Sequence, residues 1–235
     1  MFKRVLIKLS GEVLAGEKGF GFDESTINPI VDDIVTANKN SQINLVVGGG
    51  NFWRGRSKQS GFDRSRADHI GMLGTAMNGL FLADTFRQKG VKARVFSPVA
   101  LASFTEEFTK DKALENLENN GINIFVCGLG HPYFSTDTIA SLRAAELECD
   151  CLMFAKSVDG IYDKDPATNS DAKKYSELTY RKIIEDDLKA IDTSAMSICE
   201  EAGIVSLVFA LDAKNSIIHG CNNDDMIYEI GTLVK

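Results

Sequence analysis

The sequence predicts an α/β fold, a three-layer sandwich in which a mainly parallel central sheet carries helices on both faces. Three observations predict it. Short apolar runs rich in β-branched residues alternate along the chain with segments whose apolar residues recur every three or four positions. The runs are apolar almost throughout, as strands covered on both faces are. Several end abruptly in glycine, which leaves backbone N–H groups open at the carboxyl ends of the strands, where sheets of this kind bind ligands. With 235 residues and no linker rich in Pro, Ser and Gly, a single domain spanning 1–235 is expected.

Phe2 to Leu9 is the first strand. Lys8 interrupts its apolar run and either snorkels from the strand end or faces an anion at the carboxyl edge; Ser10-Gly11, a second turn able to bind an anion, favours the latter. The glycine-spaced loop Gly16 to Gly21 is either merely flexible or a regulatory or contact loop. Asp23 then caps a helix in which Ile27, Ile30, Val31, Ile34 and Val35 share a face. Ile43 to Val47 is the second strand and runs into Gly48-Gly49-Gly50-Asn51-Phe52-Trp53-Arg54-Gly55. Glycines permit positive φ and let several amides converge on one anion, to which Arg54 adds a planar fork of donors. An exposed glycine loop with an incidental arginine is the plainer reading. From there to Arg66 the chain is polar and basic (Arg56, Lys58, Arg64, Arg66), either a mobile loop or a lid over phosphates. Asp68 is expected to open a helix bearing Ile70, Leu73, Met77, Leu80, Phe81 and Ala83, and is either its cap or a carboxylate for sugar hydroxyls.

Ala93 to Phe96 is the third strand, followed by a helix around Ala113, Leu114 and Leu117. The fourth, Ile122 to Val126, ends in Gly128-Leu129-Gly130-His131-Pro132-Tyr133-Phe134-Ser135-Thr136-Asp137 ahead of a helix with Ile139 and Leu142. Capping explains Ser135, Thr136 and Asp137 without a ligand, but repeated glycine-bearing strand ends favour a site there. The fifth strand, Cys151 to Phe154, leads into Lys156-Ser157-Val158-Asp159-Gly160-Ile161-Tyr162 and Asp165-Pro166. That stretch is turn punctuation whose tyrosine can equally stack on a base. Helices are expected around Ile183, Ile184, Leu188 and Ile191, and from Ser194 to Ala202 with Gly203 as its stop. Ile204 to Phe209 is the sixth strand, and Ile227 to Ile230 with Leu233 and Val234 a terminal hairpin.

The net charge of −7 and pI near 5.1 argue against a nucleic-acid or membrane-surface protein, so anionic substrates must be met by local positive charge. No run reaches the length of a transmembrane helix, and Met1-Phe2-Lys3-Arg4 leads into a strand rather than a signal peptide, so a cytosolic protein is expected. The cysteines (Cys127, Cys149, Cys151, Cys199, Cys221) are odd in number, sit mostly in apolar segments and make no CxxC pair, which predicts buried reduced thiols. His69, His131 and His219 are too dispersed for a metal cluster. There is no G-x-x-x-x-G-K-[ST], no complete G-x-G-x-x-G, no G-x-S-x-G and no HExxH.

Taken together and in order, Lys8-Leu9-Ser10-Gly11-Glu12, Gly48-Gly49-Gly50-Asn51 with Arg54-Gly55, Asp68-His69-Ile70-Gly71-Met72-Leu73, Met77-Asn78-Gly79, Gly128 to Asp137, and Val158-Asp159-Gly160-Ile161-Tyr162 through Asp165-Pro166 resemble the bacterial uridylate (UMP) kinases of the amino acid kinase superfamily. The resemblance spans essentially the whole chain. It implies transfer of the γ-phosphate of ATP to UMP with magnesium, giving UDP for pyrimidine nucleotide synthesis, in a homohexamer built of dimers. By the same resemblance Lys8, Leu9, Ser10, Gly11, Gly50 and Arg54 would meet the ATP phosphates and the transferring group, while Lys156, Tyr162 and Asp165 would hold the adenosine part. Gly49, Asp68, Leu129, Gly130, His131, Pro132, Tyr133, Phe134, Ser135 and Thr136 would hold UMP, with Asp68 on the ribose. Asp137 matches the family's organising carboxylate near the lysine and the metal, so Lys8, Arg54 and Asp137 are the catalytic candidates, and Asp192 matches a further acidic position near the nucleotide.

The chain departs from the family pattern at Leu129 (threonine in some members), at His131 (asparagine) and at Lys156-Ser157 (threonine-lysine or asparagine). GTP and UTP enter as effectors by resemblance. However, Ala83 and Arg87 stand where one branch has the arginine and histidine of its GTP set, although Arg94 is kept. The rival readings are a superfamily member that phosphorylates a carboxylate or carbamate, and a non-catalytic nucleotide-binding relative.

Overall fold

The computed structural model describes residues 1–54, 61–211 and 215–235. Strand β1 (Arg4–Leu9) feeds the short helix α1 (Gly11–Ala15), a 3-10 turn and α2 (Glu24–Ala37), whose cap Asp23 accepts the Ser25 N–H. Next come β2 (Gln42–Val47), α3 (Arg64–Gln88), β3 (Ala93–Ser97), the two-residue β4 (Glu106–Glu107) and α4 (Lys110–Glu118). Then follow β5 (Ile122–Phe125), α5 (Thr136–Glu146), β6 (Cys151–Lys156), β7 (Glu177–Leu178), α6 (Tyr180–Glu185) and α7 (Thr193–Ala202). The chain ends with β8 (Val205–Ala210), α8 (Ser216–Asn222), α9 (Ile227–Ile230) and β9 (Gly231–Val234).

The sheet runs β4-β3-β5-β2-β1-β6-β8-β9-β7, with every neighbouring pair parallel except β8 and β9. Strand β1 lies between β2 and β6, in register Lys8 to Val46 on one side and Lys8 to Phe154 on the other. Side chains alternate between two cores. Val5, Ile7 and Leu9 join Ile43, Leu45, Met153 and Leu207 beneath α2, α3 and α8, whereas Leu6, Val46, Leu152 and Phe154 pack with α5 and α7. The expected three-layer sandwich with helices on both faces is thus observed. All five cysteines are free and buried. Burial pushes the Cys149 and Cys221 thiols up to about 12.

Three local expectations are corrected, and the facing of one helix, which its spacing left open, is settled. Helix α3 starts at Arg64, capped by Asp63 whose Oδ1 accepts the Arg66 N–H at 3.0 Å, so Asp68 lies inside the helix and is not its cap. The stripe of Ile70, Leu73, Met77 and Leu80 on that helix faces outward, and Ala76, Gly79, Leu82, Ala83 and Phe86 face the sheet. Residues 227–230 are a helical turn, because Ile227 and Ile230, three apart, both enter the core; β9 alone pairs with β8, across intervening helices. Helix α6 ends at Glu185, and Asp187 with φ 49° turns the chain, so Leu188 and Ile191 pack from irregular backbone.

The inner face of α3 is tight at one point. A Cβ on Gly79 would lie 2.3 Å from Val126 Cγ1 and 3.3 Å from Val95 Cγ1, so the helix meets the sheet there with no room for a side chain, while Leu82 and Phe86 enter the core further along. Gly79→Ala is therefore expected to lower the stability by about 1–3 kcal/mol, read as a lower urea midpoint at unchanged m-value.

Candidate active site

The parity of β1 decides where Lys8 goes. It shares a face with Leu6, the face covered by α5, and on the neighbouring strand Lys156 shares that face with Leu152 and Phe154. Helix α5 opens with Ser135, whose Oγ accepts the Thr138 N–H at 3.1 Å, and this sets Asp137 in the first turn above both strand ends. One ammonium meets each carboxylate oxygen: Lys8 Nζ lies 3.0 Å from Asp137 Oδ1, and Lys156 Nζ lies 2.9 Å from Asp137 Oδ2. The Asp137 side chain is only 9% exposed. Burial raises its carboxyl pKa, but the two lysines outweigh burial and hold it below the ordinary carboxylate value. Two cations against one anion leave the cluster positive.

The turn after β2 is fixed beside it by a reciprocal amide pair. Asn51 Nδ2 donates to Asn78 Oδ1 at 2.9 Å, Asn78 Nδ2 donates to Asn51 Oδ1 at 2.8 Å, and Asn78 Nδ2 also reaches the Gly48 carbonyl at 2.6 Å. Gly48 N–H donates to the Leu9 carbonyl at 2.9 Å, tying the ends of β1 and β2 together. A Cβ on Gly11 would lie 2.6 Å from the Gly50 nitrogen and 2.7 Å from the Gly48 oxygen, so this approach of two backbones requires glycine. Leu9 is wholly buried and offers only its backbone, and Ser10 caps α1 through its Oγ. Arg54 extends from the turn, its Nε 3.2 Å from Glu12 Oε1.

An adjoining cleft is walled by Gly49, Gly50, Trp53, Asp68, Gly71, Met72, Thr75, Gly128, His131, Phe134 and Thr136. It continues into a cavity lined by Lys8, Arg64, Asp68, Tyr133, Phe134, Ser135, Thr136, Asp137 and Asp192. Asp68 Oδ2 accepts the Tyr133 N–H at 2.9 Å, so this carboxylate holds the loop after β5 as well as facing the cleft. Gly130 and Tyr133 take positive φ in that loop, Leu129 leans on the α5-side core, and Pro132 is partly buried. At the other end, Tyr162 OH donates to Asp159 Oδ1 at 2.7 Å, and Asp165 Oδ1 accepts the Ala167 N–H at 2.9 Å to close its own turn. Lys156 therefore stands with Lys8 and Asp137 rather than with these two. Gly55 of the glycine turn, and Arg56 and Lys58 of the segment read as either a mobile loop or a lid over phosphates, lie outside the described residues.

With this geometry in place, comparison with known proteins is decisive: a family profile described as "Amino acid kinase family" matches residues 3–210. The chain belongs to the amino acid kinase family. A curated uridylate kinase from Streptococcus thermophilus (strain ATCC BAA-250 / LMG 18311) is 47% identical over 219 residues, 92% of this chain and 89% of that protein. The crystal structure of UMP kinase from Bacillus anthracis matches with a TM-score of 0.94 at 32% identity, covering 100% of this chain and 96% of that one. UMP kinase from Ureaplasma parvum matches at 0.93 and 33%, covering 100% and 99%.

In this amino acid kinase, sequence reasoning found Lys8, the glycine turns, Asp68 and Asp137 but missed what holds them. Asn78 sits mid-helix, and only the fold shows that its amide serves a turn 30 positions away in sequence. Thr75 Oγ1 accepts the Cys127 N–H at 2.7 Å and donates to the Met72 carbonyl at 2.6 Å, fastening α3 to the start of the loop. A threonine within a helical run gives no signal of this.

The Asp137 cluster generates a stability prediction. Asp137→Asn leaves two largely buried ammonium groups without a counter-charge, for an expected loss of about 3 kcal/mol by chemical denaturation at neutral pH. Because the native carboxyl titrates below its ordinary value of 3.8, its contribution is complete above that pH and is lost as acid carries the solution through the native pKa. The variant should accordingly show a shallower fall of stability with acid than the wild type.

Proposed function

We propose that this chain is a UMP kinase, transferring the γ-phosphate of ATP to UMP to give UDP and ADP within pyrimidine nucleotide synthesis in the cytosol. The observation that carries the reading is the positive Lys8–Asp137–Lys156 cluster at the same strand edge as the Gly48 to Gly50 turn and the Asp68-lined cleft. The similarity to uridylate kinases supports it further.

The chemistry fits these groups. A phosphate monoester has its second pKa near ~6, so the acceptor is mostly a dianion at neutral pH and needs no general base. The reaction needs two phosphate clusters held in line with their charge neutralised. Lys8 can turn from Asp137 to the transferring group while Lys156 keeps the buried carboxylate paired, and Arg54 with the glycine-turn amides takes the remaining donor oxygens. Asp137 orients both ammonium groups. In this role Lys156 serves the phosphates, and Tyr162 and Asp165 are left to the adenosine end. The Asp192 side chain makes no capping hydrogen bond to α7 and lines the cavity with Lys8, so it would hold the magnesium that travels with ATP. Bound there, the ion supplies further neutralisation of phosphate charge.

Asp68 favours a nucleotide acceptor over a small acid. Its carboxylate opens on the cleft while fixing the 128–136 loop, an arrangement suited to ribose hydroxyls. We also propose a homohexamer built of dimers, supported by the outward stripe Ile70, Leu73, Met77 and Leu80, which is apolar enough to be a subunit contact. Activation by GTP is not expected. Ala83 is buried, and the Arg94 guanidinium is already held by Glu106 and Glu115 over the Phe96 ring.

A panel of nucleoside monophosphates, acetylglutamate, glutamate and carbamate, assayed with ATP and magnesium and with and without GTP, tests the reading; turnover of a small acid but not of UMP would overturn it. Lys8→Ala is expected to lower kcat by about two orders of magnitude or more with the fold kept, since Lys156 still pairs Asp137. Asp68→Asn should chiefly raise the KM for UMP, and unchanged kinetics would reduce Asp68 to a loop fastener.

A further inference from the structure

We propose that Arg64 is the cation that grips the phosphate of the acceptor nucleotide, an inference that rests on the UMP kinase reading and deepens it. Arg64 lies in the first turn of α3 and lines one cavity with Lys8, Asp68, Thr136 and Asp137. Two contacts aim it. Its guanidinium carbon sits 4.4 Å from the centroid of the Tyr133 ring, and its Nε lies 3.8 Å from Asp68 Oδ2. The Tyr133 backbone is itself held by the bond from its N–H to Asp68, and the planar fork lies over its ring.

The electrostatics of the acceptor half call for such a group. Asp68 places a negative charge where a dianionic monophosphate must arrive, and among the described residues lining the continuous cavity the only cations are Lys8 and Arg64. Lys8 is bound to Asp137 and belongs to the transferring group. Arg64 shares one cavity with the carboxylate suited to the ribose and with Lys8, the cavity an acceptor phosphate would have to enter. The contact to Asp68 is too long and too exposed, at 52% for the arginine side chain, to make helix stabilisation its main consequence. A guanidinium fork matches phosphate oxygens in a way that an ammonium does not.

The test compares UMP with uridine, which lacks the phosphate. In Arg64→Gln the Kd and KM for UMP should rise about tenfold or more, the worth of a charge-assisted hydrogen bond, with kcat within about threefold and the KM for ATP unchanged. Uridine, measured as a competitor of UMP in the same variant, should keep its inhibition constant within about twofold. Arg64→Lys, which keeps the charge but loses the fork, should recover part of the UMP affinity. Equal losses for uridine and UMP would overturn the proposal and make Arg64 a prop for Asp68 and Tyr133, and so would the absence of any loss. A wild-type protein that fails to bind UMP at all would instead bring down the reading of function on which this one rests.

Discussion

The active-site edge depends on one buried carboxylate compensated twice. Asp137 stands nearly out of solvent, where an unpaired charge would cost several kcal/mol, and its two oxygens are each taken by a lysine from a different strand. For that to happen, β1 and β6 must lie side by side, both lysines must fall on the same face, and α5 must begin just above them. A one-residue slip of β1 would turn Lys8 into the opposite core and leave the carboxylate half paired. The ionic cluster thus ties the register of the central strands to the position of a helix start. The same parity that sorts Leu6 from Ile7 between the two cores delivers the ammonium group to the site.

The second constraint is closeness of backbone. The turns after β1 and β2 touch through main-chain atoms at Gly11, Gly48 and Gly50, and the Gly48 carbonyl is satisfied from α3 by Asn78, itself paired with Asn51. An amide side chain can reach a turn from a helix only if the helix lies close to the sheet, and at Gly79 that closeness leaves no room for a Cβ. Leu82 and Phe86 still enter the core further along the helix, while Ile70, Leu73, Met77 and Leu80 lie on its outer face. The tethered turn and the glycine of the same helix are therefore two results of one packing distance.

This explains what could be read from the chain and what could not. The strands were legible because they are buried on both faces and so read as unbroken apolar runs, and Lys8 was legible as the anomaly within one of them. Asp68 and Asp137 were recognisable from their motifs. The orientation of α3 was not legible: Ile70, Leu73, Met77 and Leu80 repeat with helical spacing, and periodicity alone assigns them inward, whereas the helix buries Leu82 and Phe86 among its glycines and alanines. Residues 227–230 failed for a related reason, since so short a run, with isoleucine at each end, fits a strand or a helical turn equally well. The pairing of Lys156 with Asp137, and the service of Asn78 and Thr75 to distant loops, belong to no local pattern and emerge only once the strand order is known.

Under the proposed function, a protein of net charge −7 has to hold two polyanions, and it must concentrate positive charge where they meet and prevent that charge from neutralising itself elsewhere. A lone lysine at a strand end would range over many rotamers and pair with any nearby carboxylate. Asp137 removes that freedom by holding two ammonium groups at fixed points, at the cost of one negative charge placed close to the incoming phosphates. The exchange is favourable because the counts are unequal: when a phosphate draws one lysine away, the other still satisfies the buried carboxylate, and no step leaves an unpaired charge in a dry environment. Departure of Lys8 from a one-to-one pair would have to be driven by the whole free energy of breaking it. Departure from a two-to-one cluster also relieves the repulsion between the ammonium groups, so the resting state is already disposed toward the loaded one.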